Sequence, residues 1–155
     1  MTCLEWASSY LSKRQKDTMA VCFLDIDNFK HINDQYGHAT GDLLLCAATK
    51  RLQTGIRDSD TFARLGGDEF ALILLNLKKE QDIVKIAKKM IQRFSEEFLI
   101  ENKTLKVTLS IGISVYPRDG HQSLIEKADS AMYYVKNHGK NNFKLFDASL
   151  QLGRR

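Results

Sequence analysis

Two acidic residues stand where an acid needs a reason. Asp25 closes a nearly all-apolar run from Met19 to Leu24, and Asp68 follows two consecutive glycines, Gly66 and Gly67, with Glu69 behind it. An acid at the end of a buried strand meets the solvent edge of its sheet. Glycines lack Cβ, so backbone N–H groups beside them can close on phosphate oxygens. Two carboxylates held close together repel and shift their pKa values unless a cation intervenes. Mg²⁺ is the natural cation, because it takes carboxylate and phosphate oxygens and keeps several waters. Taken alone, Gly-Gly-Asp-Glu reads more readily as a plain hairpin with solubilising acids than as a site.

The elements that must position these acids follow from periodicity. Met19 to Leu24 has the size and flanks of a buried strand. Phe29, Ile32 and Tyr36 recur at helical spacing up to Gly37, and residues 41–54 form a second helical stretch that Gly55 ends. Thr61 to Leu65 and Phe70 to Leu77 are strand-like, and the four residues between them suit a hairpin. Asp68 is thereby expected at or just past a hairpin tip. Ile83, Ile86, Ala87, Met90 and Phe94 mark an amphipathic helix, and residues 105–116 a strand. Ser123 with Glu126 resembles a capping box ahead of a helix that Gly139 closes. Phe143 to Phe146 suit a last strand, and residues 3–13 a leading helix. The order implies an α+β fold, one mainly antiparallel sheet with helices packed on it, containing a ferredoxin-like β-α-β-β-α-β unit. In that arrangement the first strand neighbours the central hairpin, which brings Asp25 towards Asp68.

Composition narrows the classes. A chain of 155 residues, 43% hydrophobic and with one proline, suits a single domain spanning 1–155. The net charge of +4 and a pI near 8.9 fit a small polyanion and favour nucleic acid no more than that. Three scattered cysteines and four histidines without ligand spacing argue against disulfides and zinc, and for a reducing compartment. No apolar run approaches the ~20 residues that span a bilayer. The expectation is a cytoplasmic domain without membrane contact of its own, the C-terminal part of a longer protein that carries any anchor.

Longer segments carry a more specific signal. Residues 64–70, Arg-Leu-Gly-Gly-Asp-Glu-Phe, bear the signature of the GGDEF family, the catalytic domain of diguanylate cyclases. Residues 23–42, from Phe23-Leu24-Asp25-Ile26-Asp27 to Gly41-Asp42, resemble its other hallmark. Residues 107–114 and the stretch from Ala128-Asp129 to Asn141 resemble it too. Four motifs in the family's order cover nearly the whole chain.

The resemblance implies a palm like that of nucleotide cyclases and polymerases, with a central five-stranded sheet. It implies condensation of two GTP into cyclic di-GMP and two pyrophosphates, with Mg²⁺ (Mn²⁺ as a substitute) as cofactor. Asp25, Asp68 and the Ile26 carbonyl would hold the metal, and Asp68, Lys30 and Glu69 would be catalytic. Asp68 would be the candidate base for the ribose 3′-hydroxyl. Asn33 and Asp42 would read guanine, since an Asp accepts from the N1–H and 2-amino donors that adenine lacks. His38, Phe29, Gly66 and Gly67 would contact substrate, and Lys136 and Lys140 the terminal phosphates. Lys140 stands where the family commonly has Arg, which keeps the charge and loses the bidentate geometry. Arg57 and Asp60 resemble an inhibitory product site, with a surface ion pair as the alternative. A homodimer, at least a transient one, is implied. The usual Asn-Arg pair is missing near Glu5-Trp6-Ala7. The alternative function is a catalytically weak GGDEF-like module that binds GTP or cyclic di-GMP and regulates a neighbour. A nucleic-acid polymerising palm fits less well, because the chain has no basic arm.

Overall fold

A computed structural model describes residues 18–150. The leading helix expected over 3–13 and the altered opening motif lie outside those residues. The order is β1 (Thr18–Ile26), α1 (Phe29–Tyr36), α2 (His38–Gln53), β2 (Thr61–Gly66), β3 (Glu69–Leu77), α3 (Glu80–Phe94), β4 (Phe98–Ile100), β5 (Lys103–Leu105), β6 (Leu109–Tyr116), α4 (Leu124–Asn137) and β7 (Asn142–Leu145). Five strands form one sheet in the order β2-β3-β1-β6-β7, and β4-β5 make a separate hairpin. All main-sheet pairings are antiparallel except β6-β7. This is the α+β architecture expected from the sequence.

The central strands read as continuous apolar runs because both sheet faces are covered. Along β1, Ala20, Cys22, Leu24 and Ile26 face a core completed by α1, α2 and α3. Met19, Val21 and Phe23 face the opposite side, where Leu124, Ala128 and Met132 of α4 cover them. Asp25 continues this second, α4-facing set by simple alternation. Strand β6 puts Leu109, Ile111, Ile113 and Val115 into the larger core, which leaves Ser110, Gly112 and Ser114 beneath α4.

Those small residues let the helix come very close. A Cβ placed on Gly112 would stand 1.9 Å from the Ala128 carbonyl oxygen and 2.2 Å from the Met132 nitrogen, both backbone atoms. Ser114 Oγ donates to the Leu124 carbonyl at 2.5 Å. The close approach matters for function, because the last turn of α4 delivers Lys136 to the end of β1.

Several local expectations change. Helix α2 begins at His38, so Gly37, at φ 88°, both ends α1 and starts α2. The strand expected over 105–116 is two strands, with residues 106–108 between them, and β4 was not foreseen. Ser123 precedes α4 in the left-handed region, at φ 57°, and makes no side-chain capping bond. The capping box therefore does not form, since that geometry needs an extended cap residue. Among the described residues no helix is long and apolar enough to cross a membrane.

Replacing Gly112 with alanine forces backbone against backbone, which no rotamer change relieves. Gly112→Ala is expected to lower unfolding stability by about 2–3 kcal/mol, the range of an overpacked core. Denaturant unfolding checks this, and an unchanged midpoint would show that α4 is not pressed onto β6.

Candidate active site at the β1 end and the β2–β3 turn

The pairing register carries Asp25 to the hairpin. Asp25 lies opposite Glu69 across β1 and β3, and the Ile26 N–H donates to the Asp68 carbonyl at 3.2 Å. The turn between β2 and β3 is only Gly67-Asp68, tighter than the four residues expected. Gly66 and Gly67 sit at φ 147° and 52°, where residues bearing a Cβ are strained. Space is open around both, so backbone conformation is what calls for glycine. Arg64 Nε braces the turn through the Gly67 carbonyl at 2.9 Å.

Asp68 stands near enough to Asp25 to disfavour the ionised form of its carboxyl. Burial pushes the Asp25 carboxyl up to about 6; Lys136 pulls against that shift and Asp68 adds to it. Lys136 reaches across from α4, its ammonium 2.9 Å from Asp25 Oδ1 and 2.7 Å from Asp27 Oδ1. It also donates to the Ile26 carbonyl at 3.4 Å.

Asp27 received no role from the sequence, yet it organises this corner. Its side chain is fully buried and accepts from Thr108 Oγ1 and Ser110 Oγ at 2.6 Å each, from Lys136, and from the Asn141 N–H at 3.0 Å. Burial alone would raise its pKa, but the bonds from Lys136, Ser110 and Thr108 prevail and hold it below the usual carboxylate value. Burial likewise opposes the Lys136 charge, and Asp27 and Asp25 outweigh it and keep that ammonium protonated. The available signal was the polar alternation Thr108, Ser110 in an otherwise apolar strand.

The other expected site residues group differently. Phe29 is buried in the core and Lys30 is exposed, one residue on in α1. Asn33 lies against Gly41, where an added Cβ would stand 1.8 Å from Asn33 Oδ1. That oxygen is buried without a hydrogen-bond partner, so a ligand donor can satisfy it. His38 and Asp42 are exposed and one turn apart on α2. Lys140, past the end of α4 at φ 58°, donates to Asn28 Oδ1 at 2.7 Å. Lys136 and Lys140 thus both reach the chain leaving β1, from the helix end and from the turn beyond it.

Arg57 and Asp60 stand apart. Asp60 Oδ1 accepts from the Leu75 N–H, six residues along β3 from Glu69 and hence ~20 Å from the carboxylate cluster. Arg57 forks onto Asp60 through Nε and a terminal nitrogen and also donates to the Leu75 carbonyl. The Arg57 side chain is 50% exposed and that of Asp60 2%, so Asp60 backs the arginine and only the guanidinium faces outward. A cleft of ≈ 200 Å³ opens beside the pair, floored by Leu72, Leu74 and Phe94 and edged by Lys89 and Arg93.

Residues 3–142 match the family model "Diguanylate cyclase, GGDEF domain". The chain belongs to the GGDEF family. It is 41% identical over 139 residues to the bifunctional diguanylate cyclase/cyclic di-GMP phosphodiesterase MucR of Pseudomonas aeruginosa, covering 88% of this chain and 20% of MucR. The GGDEF domain of PA1120 from the same species superposes with a TM-score of 0.86 at 36% identity, covering 93% of this chain and 91% of that one. The GGDEF domain of DgcB from Caulobacter crescentus, solved in complex with c-di-GMP, gives 0.80 at 26% identity over 92% and 85%. The chain spans 16% to 37% of the length of MucR and seven other curated relatives.

Among the described residues no three His, Cys, Asp or Glu side chains are grouped to hold a metal ion. The Asp25 and Asp68 carboxylates and the Ile26 carbonyl are hard oxygen donors of the kind that suits Mg²⁺, which completes its shell with water and phosphate. Ionised, Asp25, Asp27 and Asp68 set three negative charges against the one ammonium that reaches Asp25 and Asp27, so a divalent cation fits the charge as well.

A folded-state pKa near 6 for Asp25, against about 4 for an unfolded aspartate, has a definite sign. The folded chain binds this proton more tightly, so stability falls as pH rises between those values. In metal-free buffer Asp25→Asn is expected to raise the thermal midpoint relative to the parent at about pH 7 and to gain little at about pH 4. An equal gain at both pH values would place the strain elsewhere.

Proposed function

We propose that the domain condenses two GTP molecules into cyclic di-GMP and two pyrophosphates, within a longer signalling protein of the cytoplasm. The observation that carries this reading is the meeting of Asp25 and Asp68 at the sheet end that Lys136 also reaches. Asp25, Asp68 and the Ile26 carbonyl would hold Mg²⁺, or Mn²⁺ in its place, which would neutralise charge on the phosphate oxygens. The 3′-oxygen of each GTP attacks the α-phosphorus of the other. Each P–O bond to the leaving pyrophosphate breaks as the new phosphodiester forms, and the 3′-hydroxyl proton passes to Asp68 or water.

The protein supplies position and charge rather than covalent chemistry. Gly66 and Gly67 keep the turn open enough for phosphates. Lys136 and Lys140 face their terminal oxygens, with Lys30 and Glu69 beside the reacting groups and Phe29 packed beneath. Asn33, Asp42 and His38 hold the guanine, the unpartnered Asn33 oxygen accepting from it. Two domains must meet face to face, at least transiently, because each holds one GTP and a C2 pairing offers both the same geometry. Product binding at Arg57, backed by Asp60, restrains the cycle from the far end of β3.

A second reading, a GTP- or cyclic di-GMP-binding module with little turnover, draws on two features. The Lys136 ammonium is already committed to carboxylates, and Lys140 stands where the family commonly has arginine. Incubation with GTP and Mg²⁺ followed by chromatography separates the readings. Cyclic di-GMP is expected, at a rate per chain that grows with protein concentration, and Asp68→Asn is expected to lower it about 100-fold or more. Nucleotide binding without product at any concentration supports the module instead.

A further inference from the structure

We infer that Lys136 is an internal counter-ion of the metal site, tethered by Asp27, which a divalent cation must displace from Asp25. The inference rests on the metal reading given above and adds how that site is regulated. Its basis is a coincidence of oxygens. The Lys136 ammonium lies 2.9 Å from Asp25 Oδ1 and 3.4 Å from the Ile26 carbonyl, and these are two of the three groups assigned to the metal. One positive charge and a divalent ion cannot share them at contact distance without repulsion.

The geometry also gives the ammonium somewhere to go. Lys136 bonds Asp27 Oδ1 at 2.7 Å, an oxygen it shares with Ser110, while Thr108 and the Asn141 N–H hold Oδ2. Asp27 is therefore a fixed pivot: the lysine can swing off Asp25 while keeping its buried partner. If the ammonium leaves both acids, Asp27 still retains three donors. Asp25 lacks that insurance, being left with a repelling Asp68, so it needs either the ammonium or a metal.

A triphosphate changes the balance. Its oxygens offer Lys136 a new anionic partner at the moment the metal takes Asp25. Metal and nucleotide then bind cooperatively, each lowering the cost of the exchange for the other. Without nucleotide the metal competes against a bonded ammonium and binds weakly. The device keeps the acids paired, and the divalent ion off them, until substrate arrives.

The test is Mn²⁺ binding to the full chain without nucleotide, followed by electron paramagnetic resonance and calorimetry. Lys136→Met is expected to bind Mn²⁺ about tenfold or more tightly than the parent. A non-hydrolysable GTP analogue should raise Mn²⁺ affinity strongly in the parent and much less in the variant. Lys140→Met, which removes an ammonium bonded to Asn28 instead, should change Mn²⁺ affinity far less. Lys136→Gln serves if the methionine variant misfolds, as judged by its unfolding transition. Equal Mn²⁺ affinity in parent and Lys136 variants overturns the inference, as does a Lys140→Met gain of the same size. No Mn²⁺ binding by any form, even with the analogue, brings down the metal reading itself.

Discussion

The fold converges on one electrostatic problem: several acids held at the end of a sheet with too little positive charge beside them. Asp25 and Asp68 approach because β1 pairs with β3 in a register that sets Asp25 opposite Glu69. Asp27 is buried because four donors surround it. Lys136 arrives because Ser110, Gly112 and Ser114 let α4 lie almost on the backbone of β6. Removing Asp27 or Lys136 leaves a charge unmatched in a poorly solvated place, which is costly. On the proposed reading, a cation and a polyanion are the ligands that relieve this strain.

The same interactions separate rigid parts from the movable one. Asp27 is over-determined by Thr108, Ser110, Asn141 and Lys136 and ties β1, β6 and the turn after α4 together. Asp25 holds one strong partner at a cost in solvation. Lys136 joins the two through a long side chain that bonds both carboxylates. At the far end of β3, the buried Asp60 and half-exposed Arg57 repeat the pattern of a fixed acid presenting a cation outward, beside a cleft with an apolar floor.

Much of this was legible in the sequence. The runs 19–24 and 70–77 announced central strands because both faces of the sheet are covered, and Gly37 marked the α1 boundary because its φ suits glycine. The site motifs were legible as a family resemblance, and the register sets Asp25 opposite Glu69, the neighbour of Asp68. What stayed hidden has physical causes. β4 and β5 are three residues each, too short for a period to show. Ser123 adopts a left-handed conformation that its sequence context does not declare. Asp27 drew no role from its sequence neighbours, and only the donors at Thr108, Ser110, Lys136 and Asn141 reveal an anchor. Lys136 and Lys140 read as phosphate cations, while their bonds to Asp25, Asp27 and Asn28 depend on contacts more than 100 residues apart in the chain.

The central claim is that Asp25 and Asp68 grip one divalent cation together with the Ile26 carbonyl. Diffraction from a crystal grown with a non-hydrolysable GTP analogue and Mn²⁺, recorded at the manganese absorption edge, addresses it directly. The account predicts an anomalous peak in contact with both carboxylates, at roughly 2 Å from oxygen, with the analogue's phosphates completing the shell. A nucleotide bound with no peak between those two side chains, or with the manganese held elsewhere, would contradict it.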